Sequence, residues 1–466
     1  MNQDQRMDSK HKLGLWTTTS LVIGNIIGAG IFLLPVSLAP YGFFNSLAAW
    51  AFTATGALLL AMVYSALSRG IPEANGPYEY IRRAFGELPA FLILWSYWVG
   101  VWVGNASIVT GMTSYLAGLV PAIDAMPGLA PTLCIVTVWL LTIVNILGTR
   151  KAGAVQAITT VMKLLPLLLV IVVGVLVFFA QPARMAPALQ AAPPLAIGSI
   201  IAAATMTLWP LMGFESANVA SERVNDPQRT IPRATMIGTL IAAVVYVLAG
   251  GAIQALIPPE ILSASTAPFA DAVRLVLGDG IAVWVALFAA ISAFGALNGW
   301  ILVTGELPYQ LAKAGVFPAF LARESRYRTP ATGLLASSLL LTAILATNYQ
   351  KSMVQLFQYA LLISTASIIV LYLFSALAAW VLVRRGEMRL PATQLAWLRV
   401  VSVLAALYSL CILVGAGLTL NPGVCAGASV CWTPWRDNAV YMGALLLLLG
   451  LPVYFWVKRA RARGGA

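Results

Sequence analysis

Gly24-Asn25-Ile26-Ile27-Gly28-Ala29-Gly30-Ile31-Phe32 lies inside the first long apolar run of the chain. An uninterrupted membrane-spanning helix has no use for an asparagine set among glycines. Glycine frees the backbone to unwind and lets main-chain N–H and C=O groups approach whatever binds there. Within a bilayer such a break is tolerated only where the freed groups line a cavity or are buried in protein. Two readings follow: a substrate site at mid-membrane depth, or a small-residue face for close helix packing.

The rest of the composition places that stretch in a membrane. Of 466 residues, 60% are hydrophobic and only 9% charged, far below the roughly 25% charged residues of soluble domains. The chain is expected to be an all-α polytopic membrane protein whose surroundings are the lipid bilayer. Its net charge of +12 does not point to nucleic acid, because the basic residues recur in short clusters between apolar runs, as in chains that fix their orientation by charge. The polar tail Met1 to Lys12 has no cleavage pattern after a short apolar core, so no cleavable signal peptide is expected. His11 is the sole histidine, which removes most metal and histidine-dependent schemes; no cofactor or metal is expected. Cys134 and Cys411 sit in apolar runs, whereas Cys425 and Cys431 share a loop that could form a disulfide in an oxidising compartment.

A spanning helix needs about 20 largely apolar residues. Twelve runs qualify: 13–34, 43–68, 88–119, 131–148, 153–180, 196–221, 234–257, 281–306, 331–347, 355–383, 396–419 and 439–457. With the N-terminus in the cytoplasm, 23 basic residues fall on the inner side and only Arg184, Arg274, Lys351 and Arg436 on the outer, with Lys163 left inside the fifth run. This asymmetry supports an even number of spans and cytoplasmic termini. The expected organisation is a cytoplasmic tail 1–12, a first repeat 13–180, an inverted second repeat 196–383, two further helices in 396–457 and a cytoplasmic tail 458–466.

The repeat rests on a second interruption. Trp209-Pro210-Leu211-Met212-Gly213-Phe214-Glu215-Ser216 breaks the sixth run, five runs after the first break. Paired interruptions of this kind point to an inverted-repeat transporter with a midplane site. In a broken helix the N–H groups opening the second half attract a carboxylate, and the carbonyls closing the first half accept from an ammonium. Two breaks side by side therefore suit an α-amino acid.

Other candidates flank the breaks. Tyr97, Gly100, Val101, Gly104 and Asn105 follow helical spacing on one face of the third run, either leaving room for a substrate or packing another helix. Trp209 and Trp300 could cover a substrate or stack on its cationic end, worth roughly 0.5–2 kcal/mol, or simply pack. Ionisable groups at membrane depth are expensive and usually have a partner or a task. Glu215 could titrate during transport. Lys163 could take the place of a sodium ion and brace helices 1 and 8, could carry a proton, or could snorkel to the surface.

These motifs resemble the amino acid–polyamine–organocation (APC) superfamily, and within it the branch of basic amino acid and polyamine antiporters. The resemblance is carried by Gly24 to Phe32 with Leu34-Pro35, Gly76-Pro77-Tyr78-Glu79-Tyr80, Tyr97-Trp98 with Val103-Gly104-Asn105, Leu208-Trp209 with Gly213-Phe214-Glu215-Ser216, Asn225-Asp226-Pro227-Gln228-Arg229-Thr230-Ile231-Pro232, and Gly299-Trp300 with Ala314-Gly315-Val316-Phe317-Pro318. It implies a LeuT-type five-plus-five inverted repeat among 12 spans, with helices 1 and 6 broken, in a bacterial cytoplasmic membrane. Asn25, Ile26, Gly28, Ala29 and Gly30 would hold the α-amino and carboxylate groups, with the carbonyls of Trp209 and Met212 sharing the amine. Trp300 would stack on the substrate side chain, near Asn105, Gly100, Val101 and Leu362. Trp209 and Tyr97 would act as gates, with Glu215 as a pH-responsive group. The oligomeric state, a homodimer included, is left open.

The chain departs from that branch in places. Ala29 stands where an arginine/agmatine exchanger carries a serine, Leu362 falls where a serine reaches the guanidinium, and Lys163 resembles the fifth-helix lysine of sodium-independent amino acid permeases. Lys163 argues against sodium coupling, and Trp300 and Asn105, with no acidic residue in the side-chain pocket, suit a cationic substrate. Sodium-independent exchange of basic amino acids or polyamines, such as arginine for agmatine, is therefore expected. Proton-coupled or exchange transport of neutral amino acids, compatible with Val101, Leu362 and Lys163, is the alternative. An intramembrane enzyme would need a nucleophile and base, paired aspartates or metal ligands, and no aspartate falls in any of the twelve runs. A channel would need a repeated filter or a ring of like charges, and neither is present.

Overall fold

The computed structural model describes residues 14–28, 30–74, 76–148, 152–213, 224, 226–347, 350–420, 425, 430–435 and 437–463. Among them, nine helices are long and apolar enough to cross a membrane: 30–70 (taken with its short 3-10 linker), 87–119, 129–146, 162–180, 229–256, 279–313, 353–384, 392–415 and 439–462. Three shorter apolar helices cover 15–24, 197–211 and 331–347. The chain is an all-α polytopic membrane protein.

In chain order the main elements are α1 (Leu15–Ile26), α2 (Gly30–Leu38), α3 (Gly42–Gly70), α4 (Pro77–Phe85), α5 (Glu87–Leu119), α6 (Leu129–Ile146), α7 (Ala152–Ala180), α8 (Ile197–Leu208), α9 (Pro227–Leu256), α10 (Pro268–Leu277), α11 (Asp279–Lys313), α12 (Ala331–Thr347), α13 (Met353–Arg384), α14 (Ala392–Gly415), α15 (Ala439–Leu448) and α16 (Gly450–Ala462). Between α14 and α15 runs a short hairpin, β1 (Leu418–Thr419) antiparallel to β2 (Cys431–Trp432), closed by a Cys425–Cys431 disulfide. The first run, 13–34, is two helices. The second of these continues to Leu38, with Pro35 inside it.

Two helices absent from the apolar runs recur in the same setting. Amphipathic α4 ends at Gly86, and α10 ends at Gly278. Each glycine adopts positive φ, 93° and 83° respectively, and directly starts the long helix that follows. An L side chain resists that conformation, so glycine lets the chain turn from a short helix into a long one within one residue. At α4, Glu79 accepts hydrogen bonds from Arg82 at 2.8 Å and Arg83 at 2.9 Å. Chiefly the Arg82 bond lowers its pKa to about 2.

Buried polar groups stitch the bundle, because lipid offers backbone and hydroxyl groups no partner. Three serines join α5 to α13: Ser96 donates to the Ser367 carbonyl at 2.8 Å, Ser364 to the Gly100 carbonyl at 2.7 Å, and Ser107 to the Phe357 carbonyl at 3.0 Å. As the α5 residue number rises, its α13 partner falls, so the two helices are antiparallel. A second set holds α6: Thr142 meets Ser338 of α12 at 2.7 Å, and Asn145 donates to the Asn298 side chain of α11 at 2.8 Å. Helix α8 is fixed from three sides. Asn45 accepts from the Ala196 N–H at 2.9 Å at its start, Thr53 of α3 meets Thr207 at 2.7 Å, and Thr205 donates to the Ile412 carbonyl of α14 at 2.9 Å.

Candidate functional site

The first break falls where the glycines stand. Helix α1 ends at Ile26, Ile27 turns out of helical geometry at ψ 88°, and α2 begins at Gly30. Carbonyls that an unbroken helix would pair four residues on then need other donors. Two side chains from distant helices supply them. Lys163 of α7, only 4% exposed, donates through Nζ to the Gly24 carbonyl. Its ammonium therefore points inward to the break and does not snorkel. Tyr246 of α9, fully buried, donates its hydroxyl to the Ile26 carbonyl at 2.8 Å.

The second break is built locally. Helix α8 gives way to a 3-10 turn over Trp209–Leu211. Proline stands at the turn's second residue, and Met212 is extended with ψ 153°. The Met212 N–H closes on the Trp209 carbonyl at 3.2 Å, so that carbonyl is already engaged. The Tyr246 hydroxyl also lies 3.4 Å from the Pro210 carbonyl. One phenol thus stands between both breaks.

The breaks also touch directly. A Cβ built on Gly30 would lie 2.1 Å from Cζ3 of Trp209, so the indole can lie against the start of α2 only because residue 30 is glycine. The indole Nε1 donates to Ser364 Oγ at 3.0 Å. Gly104 sits beside the same pair, its Cβ direction 2.9 Å from Ser364 Oγ and 3.4 Å from Trp209 Nε1. Gly100 faces Ile368 at 2.5 Å and the Ser364 carbonyl at 3.0 Å. These two glycines therefore admit α13 and the Trp209 ring, which is the packing alternative for that part of the α5 face.

Asn105 points elsewhere. It is 1% exposed and its Oδ1 has no hydrogen-bond partner among the described residues. It lies seven residues after Trp98, hence within about 20° of it around the helix. Trp98 Nε1 donates to the Thr304 carbonyl of α11 at 3.2 Å, one turn from Trp300. Asn105 thus carries an unsatisfied buried acceptor on the side of α5 that meets α11. Leaving such an acceptor unpaired costs about 1–3 kcal/mol, which is consistent with a ligand or water contact.

Tyr97, Trp209, Trp300 and Leu362 are partly buried against the core, while Ile26, Val101 and Met212 are buried. Ala29, Glu215 and the Asn25 side chain lie outside the described residues. The α13 residues that meet Trp209 are Ser364, through its hydroxyl, and Phe357, edge-on with ring centroids 6.2 Å apart; Leu362 lies two positions before Ser364, about 200° around the helix. Ser364 and Tyr246 escaped the sequence reading. Their only local signals are a small polar cluster, Ser364-Thr365-Ala366-Ser367, and a lone tyrosine amid Val244-Val245-Tyr246-Val247.

Comparison with known proteins places this geometry in a family. The cadaverine/lysine antiporter of Escherichia coli is 34% identical over 343 residues, covering 73% of this chain and 75% of the relative. The arginine/ornithine antiporter of Pseudomonas aeruginosa is 30% identical over 395 residues, 82% of this chain and 81% of the relative. The putrescine transporter PotE of Haemophilus influenzae is 27% identical over 455 residues, 96% and 97%. A family model described as amino acid permease matches residues 13–441, and the chain, with its paired helix breaks, belongs to that amino acid permease family.

Proposed function

We propose that this permease is a secondary-active, sodium-independent exchanger of basic amino acids and related amines, working by alternating access around a site between its two helix breaks. The observation that carries the reading is the Lys163 ammonium on the Gly24 carbonyl. Carbonyls freed at a helix break are a ready site for a coupling cation, and here a fixed cation already occupies one. The substrate class is supported by the relatives, whose names specify cadaverine, lysine, arginine, ornithine and putrescine.

In this reading the main chain from Asn25 to Gly30 engages the α-carboxylate and α-amine, with Met212 opposite. Trp300 and Asn105 meet the side chain, Tyr97 and Trp209 gate the site, and Glu215 responds to pH. The architecture is twelve spans in a LeuT-type arrangement, with repeats over 13–180 and 196–383 and two further spans within 396–457. The paired breaks and the matching α4–Gly86–α5 and α10–Gly278–α11 turns support it. Cytoplasmic termini follow from the distribution of basic residues, and a disulfide in the β1–β2 loop suits an oxidising outer compartment.

The test is exchange in proteoliposomes. Vesicles preloaded with unlabelled lysine, arginine or ornithine should take up labelled arginine without sodium, and empty vesicles should not. A strict sodium requirement would remove the role given to Lys163. Competition by neutral amino acids with none by basic ones would replace the substrate class.

A further inference from the structure

Tyr115 of α5 is 1% exposed and far from both helix breaks in sequence, yet its hydroxyl joins two elements, α2 and α10. It donates to the Phe32 carbonyl of α2 at 2.7 Å and accepts from the Phe269 N–H of α10 at 3.3 Å. Each partner has a local reason to need it. In α2, Pro35 has no N–H for the Ile31 carbonyl and its ring crowds that turn, so the neighbouring Phe32 carbonyl is opened toward α5. In α10, Pro268 is the first residue and no side chain caps the helix. The Phe269 N–H is therefore the first donor available at that end. The phenol completes an unbroken N–H to O–H to C=O chain from α10 to α2.

Packing agrees with the hydrogen bonds. The Phe32 ring lies edge-on to Tyr115, centroids 6.1 Å apart, and edge-on to Phe269, 5.2 Å apart. The preceding residue, Ser114, donates to the Thr266 carbonyl at 2.8 Å. Gly118, one turn on, lets Ala267 approach so that a Cβ there would stand 3.3 Å from the Ala267 Cβ. Helix α5 therefore grips the segment before α10 along one face, and the Tyr115 hydroxyl extends that grip to α2. Every residue of α2, from Gly30 to Leu38, is buried.

We propose that Tyr115 is a positioning residue that latches α2 to α10, so that the second half of the first broken helix and the segment between α9 and α11 open and close as one outer gate. The gate role rests on the transport reading; the coupled opening does not. In transport, α2 cannot swing from the site without releasing α10, and a displacement of α10 is felt at Gly30 and the Trp209 ring.

Hydrogen–deuterium exchange of the purified full chain, wild type against Tyr115→Phe, decides the coupling without any substrate. The variant keeps the rings and removes the hydroxyl. Uptake is expected to rise about fivefold in rate, the worth of one buried hydrogen bond, over 30–38 and 268–277 together and not over 392–415. No change, a rise in one segment only, or an even rise through all helices would overturn the latch. Should Tyr115→Phe not fold, Ser114→Ala, which leaves the phenol in place, is expected to loosen 268–277 and 30–38 together; loosening of 268–277 alone would overturn the latch. In proteoliposomes, Tyr115→Phe should change turnover several-fold with KM within about twofold, and unchanged turnover would overturn the gate role. Wild-type protein that exchanges none of the basic amino acids fails the transport reading, while the coupled opening is still decided by deuterium uptake.

Discussion

The two helix breaks are made of different sequence and are held in different ways. At the first, Gly24 to Gly30 supplies flexibility and almost no anchoring, and the freed carbonyls are met by Lys163 and Tyr246 from α7 and α9. At the second, Pro210 and the Met212 N–H shape the turn within the chain's own four residues, and α8 is pinned by threonines and Asn45 on its approach. The first break is thus a weak backbone supported from outside, and the second a turn closed by its own backbone that Tyr246 and Ser364 also reach. A site between them can change shape mainly on the first side, where the supports are side chains that can let go.

The largest effect should come from removing the first break's cationic support. Lys163→Ala leaves the Gly24 carbonyl without this donor. Hydrogen bonds to charged groups contribute about 1.5–3 kcal/mol, so arginine exchange should fall by one to two orders of magnitude. The protein should still elute as a single folded species in detergent. Exchange near the wild-type rate would show that the first break supports itself, and the contrast between the breaks would disappear.

Next in size is the contact between them. Gly30→Ala forces its Cβ into the Trp209 ring, and overpacking of this kind costs about 1–3 kcal/mol. The melting temperature of the detergent-solubilised protein should drop. A second change, Trp209→Ala, should restore part of the loss. If the two losses simply add, the indole is not packed on α2, and the breaks are coupled only through Tyr246. That bridge is tested by Tyr246→Phe. The ring keeps its place 5.6 Å from Trp50, the Ile26 carbonyl loses its donor, and the expected loss is about 1.5 kcal/mol.

Which of these features could be read from the chain follows from the range of the forces that make them. The interruption within Gly24 to Phe32 and the turn at Trp209–Met212 were legible because backbone permissiveness is local; Phe214, Glu215 and Ser216 lie outside the described residues. Lys163 was legible because a charge in an apolar run is costly wherever it points. Its partner was not, since Gly24 is 139 residues away. Tyr246 and Ser364 were missed for the same reason. A tyrosine or serine in a spanning helix is ordinary, and only the fold brings them to carbonyls and indoles 220 and 155 positions distant. Helices α4 and α10 were missed because an amphipathic segment of 9 or 10 residues is not an apolar run. Gly100 and Gly104 fit two purposes equally well in sequence, and in the structure both lie against α13.

The smallest effect should come from Ser364→Ala, and it is the most informative about the second break. The serine hydroxyl accepts from Trp209 Nε1 at 3.0 Å and donates to the Gly100 carbonyl at 2.7 Å. Gly100 lies within α5, so its carbonyl keeps the helical donor four residues on; the indole N–H loses its only described acceptor. The expected cost is about 1 kcal/mol, one neutral hydrogen bond, read as a modest drop in melting temperature. A double-mutant cycle with Trp209→Phe separates this bond from side-chain volume, because neighbours that interact show non-additive losses. Coupling of about 1 kcal/mol would mean that Trp209 is held by α13 as well as by its own turn. Additive losses would mean that the local turn suffices, and would sharpen the contrast with a first break that depends on Lys163 and Tyr246.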